Sequence, residues 1–195
     1  MLPIIIFDLE CTTWEDAPAR GWSGEDEYRE IIQIGALKVD WPSGKIIDSL
    51  NVLVKPLLNP QLSEFVQQLT GIAQQAIDQE GIEFPLALEK FLGLCGSNKT
   101  YSYGPDALII AENVALTKCH PGTLYTMDMP EFINIGPIIH RADPTALEQR
   151  VNSGRLWQHY NLPKPVGVGE HDALFDCYSI LAALKFLHTN GKIIL

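Results

Sequence analysis

The sequence predicts an α/β domain with a mixed central sheet that contains an antiparallel hairpin and is flanked by helices. Three observations lead to this prediction: an Ile-rich run opens the chain, two extended segments joined by a Pro- and Gly-containing turn follow, and helical and extended segments then alternate. With 195 residues, 46% hydrophobic and 19% charged, the chain is large enough for one unit with a substantial core. We therefore expect a single domain over residues 1–195.

The first half of the chain predicts a central strand, a hairpin and three helices. The opening run is continuously apolar, which is typical of a strand covered on both faces. Trp41-Pro42-Ser43-Gly44 supplies the turn of the hairpin. In chain order we predict a strand at 2–9, a loop at 12–29, hairpin strands at 31–40 and 45–56, and helices at 63–69, 73–78 and 84–94.

The second half predicts further strands and helices and ends on the clearest helix. Apolar residues recur at steps of three and four from Ala173 to Leu187, and Asn190-Gly191 supplies a stop. Asp176 lies inside this helix, beside the apolar stripe. The preceding predictions are a strand at 100–103, a helix from 106 to about 118, a loop, a strand near 132–135 and helices through 160.

The charge balance limits the kinds of partner that the chain can bind. Lys and Arg number 14 and Asp and Glu 24, a formal net charge of -10, which argues against a long footprint on duplex nucleic acid. A short contact at a strand end remains open. Clustered carboxylates can instead bind divalent cations, whose charge then attracts a phosphate.

Cysteine usage and the apolar N-terminal run indicate a compartment. Cys11, Cys95, Cys119 and Cys177 show no C-x-x-C spacing, so we expect reduced thiols, a cytoplasmic location and no zinc site. The apolar run at 2–7 lacks a basic flank and is too short to span a bilayer, so we expect neither a signal peptide nor a membrane helix.

Asp8 and Glu10 form the first candidate site. Residues two apart on a strand leave the same face, and two buried acids repel each other and lose solvation. A divalent metal between them relieves both effects. The alternative is that the strand has already ended and both acids are solvated loop residues.

The segment 171–176 forms the second candidate site. His171 and Asp176 are five residues apart, about 140° around an ideal helix, so they cannot share one helical face. Either Asp172 and Asp176 form an acidic face, or His171 precedes the helix on the glycine-bearing loop 166–170, and that loop favours the second interpretation. A third interpretation gives His171 no task beyond starting the helix.

Asp106 follows Gly104-Pro105 at the end of a predicted strand. Asp is a preferred helix N-cap, and Asp106 opens a helical segment, so a capping role competes with a role in a site.

Several segments together resemble one known family. Asp8-Leu9-Glu10-Cys11-Thr12-Thr13-Trp14, followed by Glu30-Ile31-Ile32-Gln33-Ile34-Gly35-Ala36, resembles the first motif and following strand of the DEDDh 3'-5' exonucleases, in the branch of the histone-mRNA and small-interfering-RNA exonucleases. Later segments are similar as well, and their order and spacing extend the resemblance over nearly the whole chain. They are Val54-Lys55-Pro56, Asn59-Pro60-Gln61-Leu62-Ser63, Leu69-Thr70-Gly71-Ile72 and His171-x-Ala173-x-x-Asp176.

The resemblance implies an RNase H-like fold and a phosphodiesterase site with two ions of Mg²⁺ or Mn²⁺. It implies that Asp8, Glu10 and Asp176 hold the ions, that Asp106 completes the four acids, and that His171 is the general base. Many family members place the fourth acid three residues after the Gly of a Ser-Trp-Gly strand end. Here Tyr103 replaces Trp and Asp106 follows Gly104 by two residues.

The implied reaction is hydrolysis at the 3' end of single-stranded RNA or DNA, with RNA favoured by the branch of the family. Two ions would bracket the scissile phosphate, His171 would take a proton from the attacking water, and nucleoside 5'-monophosphates would leave without a covalent enzyme intermediate. Candidates for contact with the terminal nucleotide are Thr12, Trp14, Trp22, Leu69 and Tyr103, although Leu69 and Tyr103 could equally be core residues.

Two other functions remain open at this point. One is a catalytically impaired nucleic-acid or protein-binding module on the same fold, and the other is a phosphodiesterase for short oligonucleotides. For any targeting to a particular RNA we expect a partner protein, and the sequence leaves the oligomeric state open.

Overall fold

A computed structural model describes residues 3–117, 130–167 and 169–195 of the chain. The strands are β1 (Ile4–Cys11), β2 (Ile31–Asp40), β3 (Lys45–Lys55), β4 (Ile82–Glu83), β5 (Thr100–Ser102) and β6 (Phe132–Asn134). The helices are α1 (Glu64–Thr70), α2 (Gln74–Glu80), α3 (Phe84–Cys95), α4 (Asp106–Leu116), α5 (Gly136–Ala142), α6 (Pro144–Glu148), α7 (Leu156–His159) and α8 (Ala173–Thr189), with a 3₁₀ turn at Ser153–Arg155.

The predicted fold class is confirmed, and most predicted elements lie within two residues of the observed ones. One clear difference is that β1 continues to Cys11, so Asp8 and Glu10 lie in the strand and the solvated-loop alternative is wrong. The two-residue strand β4 was not predicted, because so short a segment carries no periodic signal. The end of the predicted helix at Lys118 and the loop that follows it up to residue 129 lie outside the described residues.

The sheet is mixed and has the order β4-β3-β2-β1-β5-β6. The hairpin β2-β3 is antiparallel, and β2 also pairs antiparallel with β1. β1 pairs parallel with β5, and β5 with β6. The β1-β2 register shifts between Glu10 and Cys11, an irregularity of the kind that often re-aims side chains beside active sites.

Alternation along β1 decides which layer each side chain meets. Ile5 and Phe7 pack in one cluster with α3, and the Phe7 ring lies 5.1 Å from the ring of Phe91. Ile4 and Ile6 pack on the other face, in a cluster that contains the apolar residues of α8. Because Asp8 and Glu10 have the same parity as Ile4 and Ile6, β1 directs them to the face that α8 covers.

Gly35 on β2 lets the start of α8 approach the sheet. Gly35 pairs with Asp8, and a Cβ at Gly35 would lie 2.4 Å from the backbone of Ala173. Gln33 anchors the same helix start: its Oε1 accepts from the Ala173 N–H at 3.0 Å, and its Nε2 donates to Asp172 Oδ2 at 3.0 Å. The first turn of α8 is therefore fixed directly beside the acids of β1.

We expect Gly35→Ala to destabilise the fold, because the new methyl group would meet backbone that cannot move away. Overpacking of this kind costs about 1–3 kcal/mol, or a fall in Tm of roughly 2–12 °C for a chain of this size. Gly93→Ala in α3 is the matched control, since a Cβ there meets nothing within 4 Å and should leave Tm unchanged or raise it. Equal thermal stability of Gly35→Ala and the wild type would contradict the packing argument.

Two predictions about composition can be compared with the structure. Cys11, Cys95 and Cys177 are free, whereas Cys119 lies outside the described residues. Within the described ranges, no helix combines the length and the apolar character needed to cross a bilayer.

Candidate active site

Three carboxylates meet where β1 ends and α8 begins. Asp8, Glu10 and Asp176 each offer an oxygen, and these oxygens all lie within 4.8 Å of one another. The three residues are 7%, 8% and 2% exposed. Three of the predicted site residues, two from β1 and one that follows more than 160 residues later, are thus brought together.

Burial and proximity raise the pKa values of these acids. Burial is the largest cause for Asp8, followed by repulsion from Asp106, Asp176 and Glu10. The pKa of Glu10 is raised for the same reasons, and burial raises the pKa of Asp176 to about 7. The protein thus holds several negative charges in a poorly solvated place, which favours protons or cations as their counter-charge.

Asp106 lies close to the three acids but outside their tight group. It is buried at the start of α4, and its charge contributes to the raised pKa of Asp8. Burial raises the pKa of Asp106 itself to about 6, while hydrogen bonds that include one from Ser102 lower it. The alternative role as N-cap is wrong, because Pro105 occupies that position and Asp106 is the first helical residue.

Two neighbouring residues that sequence reasoning missed shape the environment of Asp176. Ser153 Oγ donates to Asp176 Oδ2 at 2.9 Å, and Ser153 also lowers the pKa of Asp8. A Cβ on Gly154 would lie 2.4 Å from Asp176 Oδ1. Their separation of more than twenty residues from Asp176 left no local pattern in the sequence to reveal them.

His171 lies on the loop before α8, as the favoured interpretation predicted. Asp172 is the N-cap of α8 and accepts from the Phe175 N–H, so it does not form a helical acidic face with Asp176. The imidazole Nε2 of His171 lies 3.5 Å from Glu170 Oε1, and burial lowers the pKa of His171. The lowered pKa favours the neutral form of the His171 imidazole at neutral pH, and the backbone N–H of His171 contributes to lowering the pKa of Asp176.

Thr12 and Trp14, the predicted substrate contacts at the end of β1, differ in how much of their side chains is accessible. Thr12 is buried, its hydroxyl donates to the Tyr28 carbonyl at 2.6 Å, and it accepts from the Glu30 N–H at 2.9 Å. That hydroxyl therefore holds the 12–30 segment together. Trp14 is half-buried and keeps part of its surface open. Nucleotide contact by either residue stays a prediction.

The remaining candidates lie on other elements. Leu69 on α1 is 37% exposed, so the alternative that it is a core residue is wrong. Tyr103 packs against the core cluster on the α8 side, and its hydroxyl lies 2.8 Å from His140 Nε2. Trp22 is half-buried, with the Arg29 guanidinium 4.9 Å from its ring centroid. Contact of these side chains with a base stays a prediction.

The acid cluster fits a divalent metal. Asp176 Oδ1 is buried without a hydrogen-bond partner, and Gly154 leaves the space beside it free. Such an orphaned carboxylate oxygen is costly unless a cation binds it. Carboxylate oxygens are the ligands that Mg²⁺ and Mn²⁺ prefer, so Asp8, Glu10 and Asp176 could hold such an ion.

We expect Ser153→Ala to weaken metal binding without unfolding the protein. The hydroxyl orients Asp176, and loss of a partner that orients a metal ligand typically lowers metal affinity about 10- to 100-fold. The measurement is the Mn²⁺ concentration that gives half-maximal activity. Ser49→Ala, at an exposed position of β3, is the control, and an unchanged Mn²⁺ requirement of Ser153→Ala would contradict the role given to this hydroxyl.

Fold and site together define a class of protein: an α/β domain with a cluster of buried carboxylates at the carboxyl end of its central strand, suited to metal-dependent phosphodiester chemistry. The RNase T exonuclease family matches residues 5–184. The chain belongs to this exonuclease family, and the predicted resemblance is confirmed.

Individual relatives agree with this assignment. The chain is 30% identical over 207 residues to the 3'-5' exonuclease crn-4 of Caenorhabditis elegans, which covers 96% of this chain and 63% of that protein. It is 34% identical over 88 residues to ERI1 exoribonuclease 2 of Xenopus laevis, which covers 45% of this chain and 12% of that protein. The chain thus spans less than two thirds of the length of these curated relatives.

Solved structures show the same fold. A crystal structure of cell-death related nuclease 4 (CRN-4) matches with a TM-score of 0.70 at 25% identity, covering 97% of this chain and 64% of that one. The nuclease domain of 3'hExo, a DEDDh family member bound to rAMP, matches with a TM-score of 0.74 at 21% identity, covering 97% of this chain and 92% of that one.

Proposed function

We propose that the chain is a metal-dependent 3'-5' exonuclease that hydrolyses single-stranded nucleic acid from its 3' end and releases nucleoside 5'-monophosphates. The observation that carries this proposal is the convergence of Asp8, Glu10 and Asp176 around a buried, unpartnered carboxylate oxygen. Family membership and the 3'-5' exonucleases among the relatives support it. Because some of the relatives are exoribonucleases, we propose RNA over DNA as the preferred substrate of this chain. We propose that residues 1–195 act as one exonuclease domain.

In this proposal four acids hold two ions of Mg²⁺ or Mn²⁺. Asp8, Glu10 and Asp176 supply the closest oxygens, and Asp106 is the fourth acid. The bound ions would supply Lewis-acid stabilisation of charge on the phosphate and would lower the pKa of the attacking water. Asp8 and Glu10 on β1 and Asp176 in the first turn of α8 are held in fixed positions by these buried elements.

His171 is the proposed general base. Burial keeps its imidazole neutral at neutral pH, so a ring nitrogen can accept the proton of the attacking water. Its place on a loop beside Asp176 leaves the ring freer to approach a water than a residue inside the helix would be. In this proposal the buried acids hold the ions, and the more exposed imidazole of His171 accepts the proton.

The test is a comparison of labelled single-stranded oligonucleotides in Mg²⁺ or Mn²⁺. Label at the 3' end should appear at once as mononucleotide, and label at the 5' end should pass through a ladder of chains shortened by one residue. An RNA and a DNA of the same sequence measure the sugar preference. Internal fragments or cleavage only of very short oligomers would contradict the proposal and favour a different phosphodiesterase.

A second candidate function rests on one observation. Asp106 stands outside the tight group of three acids, so a binding module with impaired chemistry on the same fold is the competing proposal. Tight oligonucleotide binding without mononucleotide product in both metals would favour it.

We further propose a cytoplasmic location and a partner protein that directs the chain to particular RNAs. The free Cys11, Cys95 and Cys177 support a reducing compartment. Imaging of a tagged protein tests the location, and co-purification with and without ribonuclease treatment tests for a partner.

A further inference from the structure

A cavity of about 480 Å³ lies beside the turn 152–155, which also contacts the acid cluster through Ser153. Its polar lining comes from Gln149, Arg150, Asn152, Arg155, Gln158 and His159. Among the described residues no carboxylate lines it, although acids outnumber basic residues by 24 to 14 in the chain. Two of the lining residues are already paired with acids beside the cavity, Arg155 with Glu170 and His159 with Asp143. Among the described lining residues Arg150 is therefore the cation that is left to meet an anion.

Several hydrogen-bond donors of this cavity have no partner within the described part of the chain. Arg150 is exposed, and its side chain makes no hydrogen bond or ion pair with any described residue. The side-chain amides of Gln149 and Gln158 are likewise without a partner among the described residues. Arg155 donates from Nε to Glu170 at 2.7 Å, which leaves its terminal nitrogens available. An arginine guanidinium with neighbouring amides is well suited to a phosphate group.

The backbone at Arg150 is one that an arginine rarely adopts. Arg150 has φ of +51° and follows the C-terminus of α6, where the Arg150 N–H bonds to the Leu147 carbonyl and the Val151 N–H to the Ala146 carbonyl. This is the helix-ending pattern in which glycine is the usual residue. Glycine would suit this backbone conformation better than arginine does. Any advantage of an arginine at this position therefore has to come from its charged side chain.

The turn 152–155 connects the cavity with the active site. Asn152 and Arg155 line the cavity, while Ser153 between them donates to Asp176. Arg155 and Asn152 both bond to Glu170, which lies beside the His171 imidazole. The residues that line the cavity and the residue that contacts Asp176 thus belong to the same short turn.

We infer that this cavity is a subsite for a phosphodiester group of the substrate strand on the 5' side of the scissile bond, with Arg150 as its main cationic contact. The inference rests on the proposed exonuclease function. A cationic contact of this kind would offset part of the repulsion between the strand and a chain with a formal net charge of -10.

The test compares a dinucleotide, whose only phosphate is the scissile one, with a decanucleotide that also carries upstream phosphates. Arg150→Gly removes the cation and suits the local backbone, so its Tm should stay unchanged or rise by a few degrees. We expect kcat/KM of this variant to fall roughly fivefold on the decanucleotide and to stay unchanged on the dinucleotide. The plot of log kcat/KM against log salt should become shallower by about 0.7, the value for one lost phosphate contact on a single strand.

Two controls and three outcomes decide the inference. Arg150→Lys should keep the salt slope, and Arg141→Ala removes an exposed arginine outside the cavity and should keep both rates. An unchanged decanucleotide rate in Arg150→Gly, an equal loss on both substrates, or the same loss in Arg141→Ala would each overturn the subsite. If the wild type cleaves neither substrate, the proposed exonuclease function fails instead.

Discussion

Replacement of Asp8 or Asp176 by asparagine is expected to lower mononucleotide release on the order of 10³-fold or more. Asparagine keeps the shape of the side chain but removes the negative charge that would hold a divalent ion. Both residues belong to the buried group of acids that would hold the ion. The measurement is release of labelled mononucleotide from a single-stranded oligonucleotide in Mg²⁺ and in Mn²⁺.

The stability of these variants separates loss of chemistry from loss of fold. Each substitution removes one of several repelling buried charges, so the metal-free variants should melt at the same temperature as the wild type or higher at pH 8. Asp48→Asn, on the exposed part of β3, is the control and should keep full activity. Wild-type release by both purified cluster variants would refute the assignment of the acids.

The second large effect is a dependence of metal-free stability on pH. Burial raises the pKa of Asp106 to about 6 and that of Asp176 to about 7, from an ordinary value of 3.8. Between the ordinary and the raised values the folded state binds more protons than the unfolded state. The free energy of unfolding therefore falls as the pH rises from about 4 through 7, by an amount on the order of several kcal/mol.

Thermal unfolding at pH 5 and pH 8 measures this effect. We expect the metal-free protein to melt roughly 5–10 °C lower at pH 8, and millimolar Mg²⁺ or Mn²⁺ to recover much of the difference by binding only the folded state. Asp176→Asn should reduce both the pH dependence and the response to metal. A Tm that is equal at the two pH values and indifferent to both metals would contradict the account of the cluster.

Much of the fold could be predicted because its signals are local. The continuous apolar run of β1, the Pro- and Gly-containing turn of the hairpin and the apolar stripe of α8 each reflect burial by neighbouring layers. Asp8 and Glu10 were predictable as a pair for the same reason, since alternation along a strand fixes which face they share. Where His171 lies was predictable from the glycine-bearing loop before α8.

Other features depend on contacts between distant segments and leave no local pattern. Ser153 and Gly154 shape the surroundings of Asp176 only because the 3₁₀ turn packs against α8. The capping alternative for Asp106 was wrong because Pro105 takes the N-cap position. Proline has no side chain that can cap a helix, so nothing in the sequence indicated that the helix begins there. The role of Gly35 likewise becomes visible only when α8 lies across β2.

A crystal structure of the protein with Mn²⁺ and a nucleoside 5'-monophosphate tests the central claim most directly. We predict two anomalous-scattering peaks between the nucleotide phosphate and the carboxylates of Asp8, Glu10 and Asp176, one of them bonded to Asp176 Oδ1. If crystals at millimolar Mn²⁺ show these carboxylates without any metal peak, the acids do not serve as a metal site and the proposed chemistry is wrong.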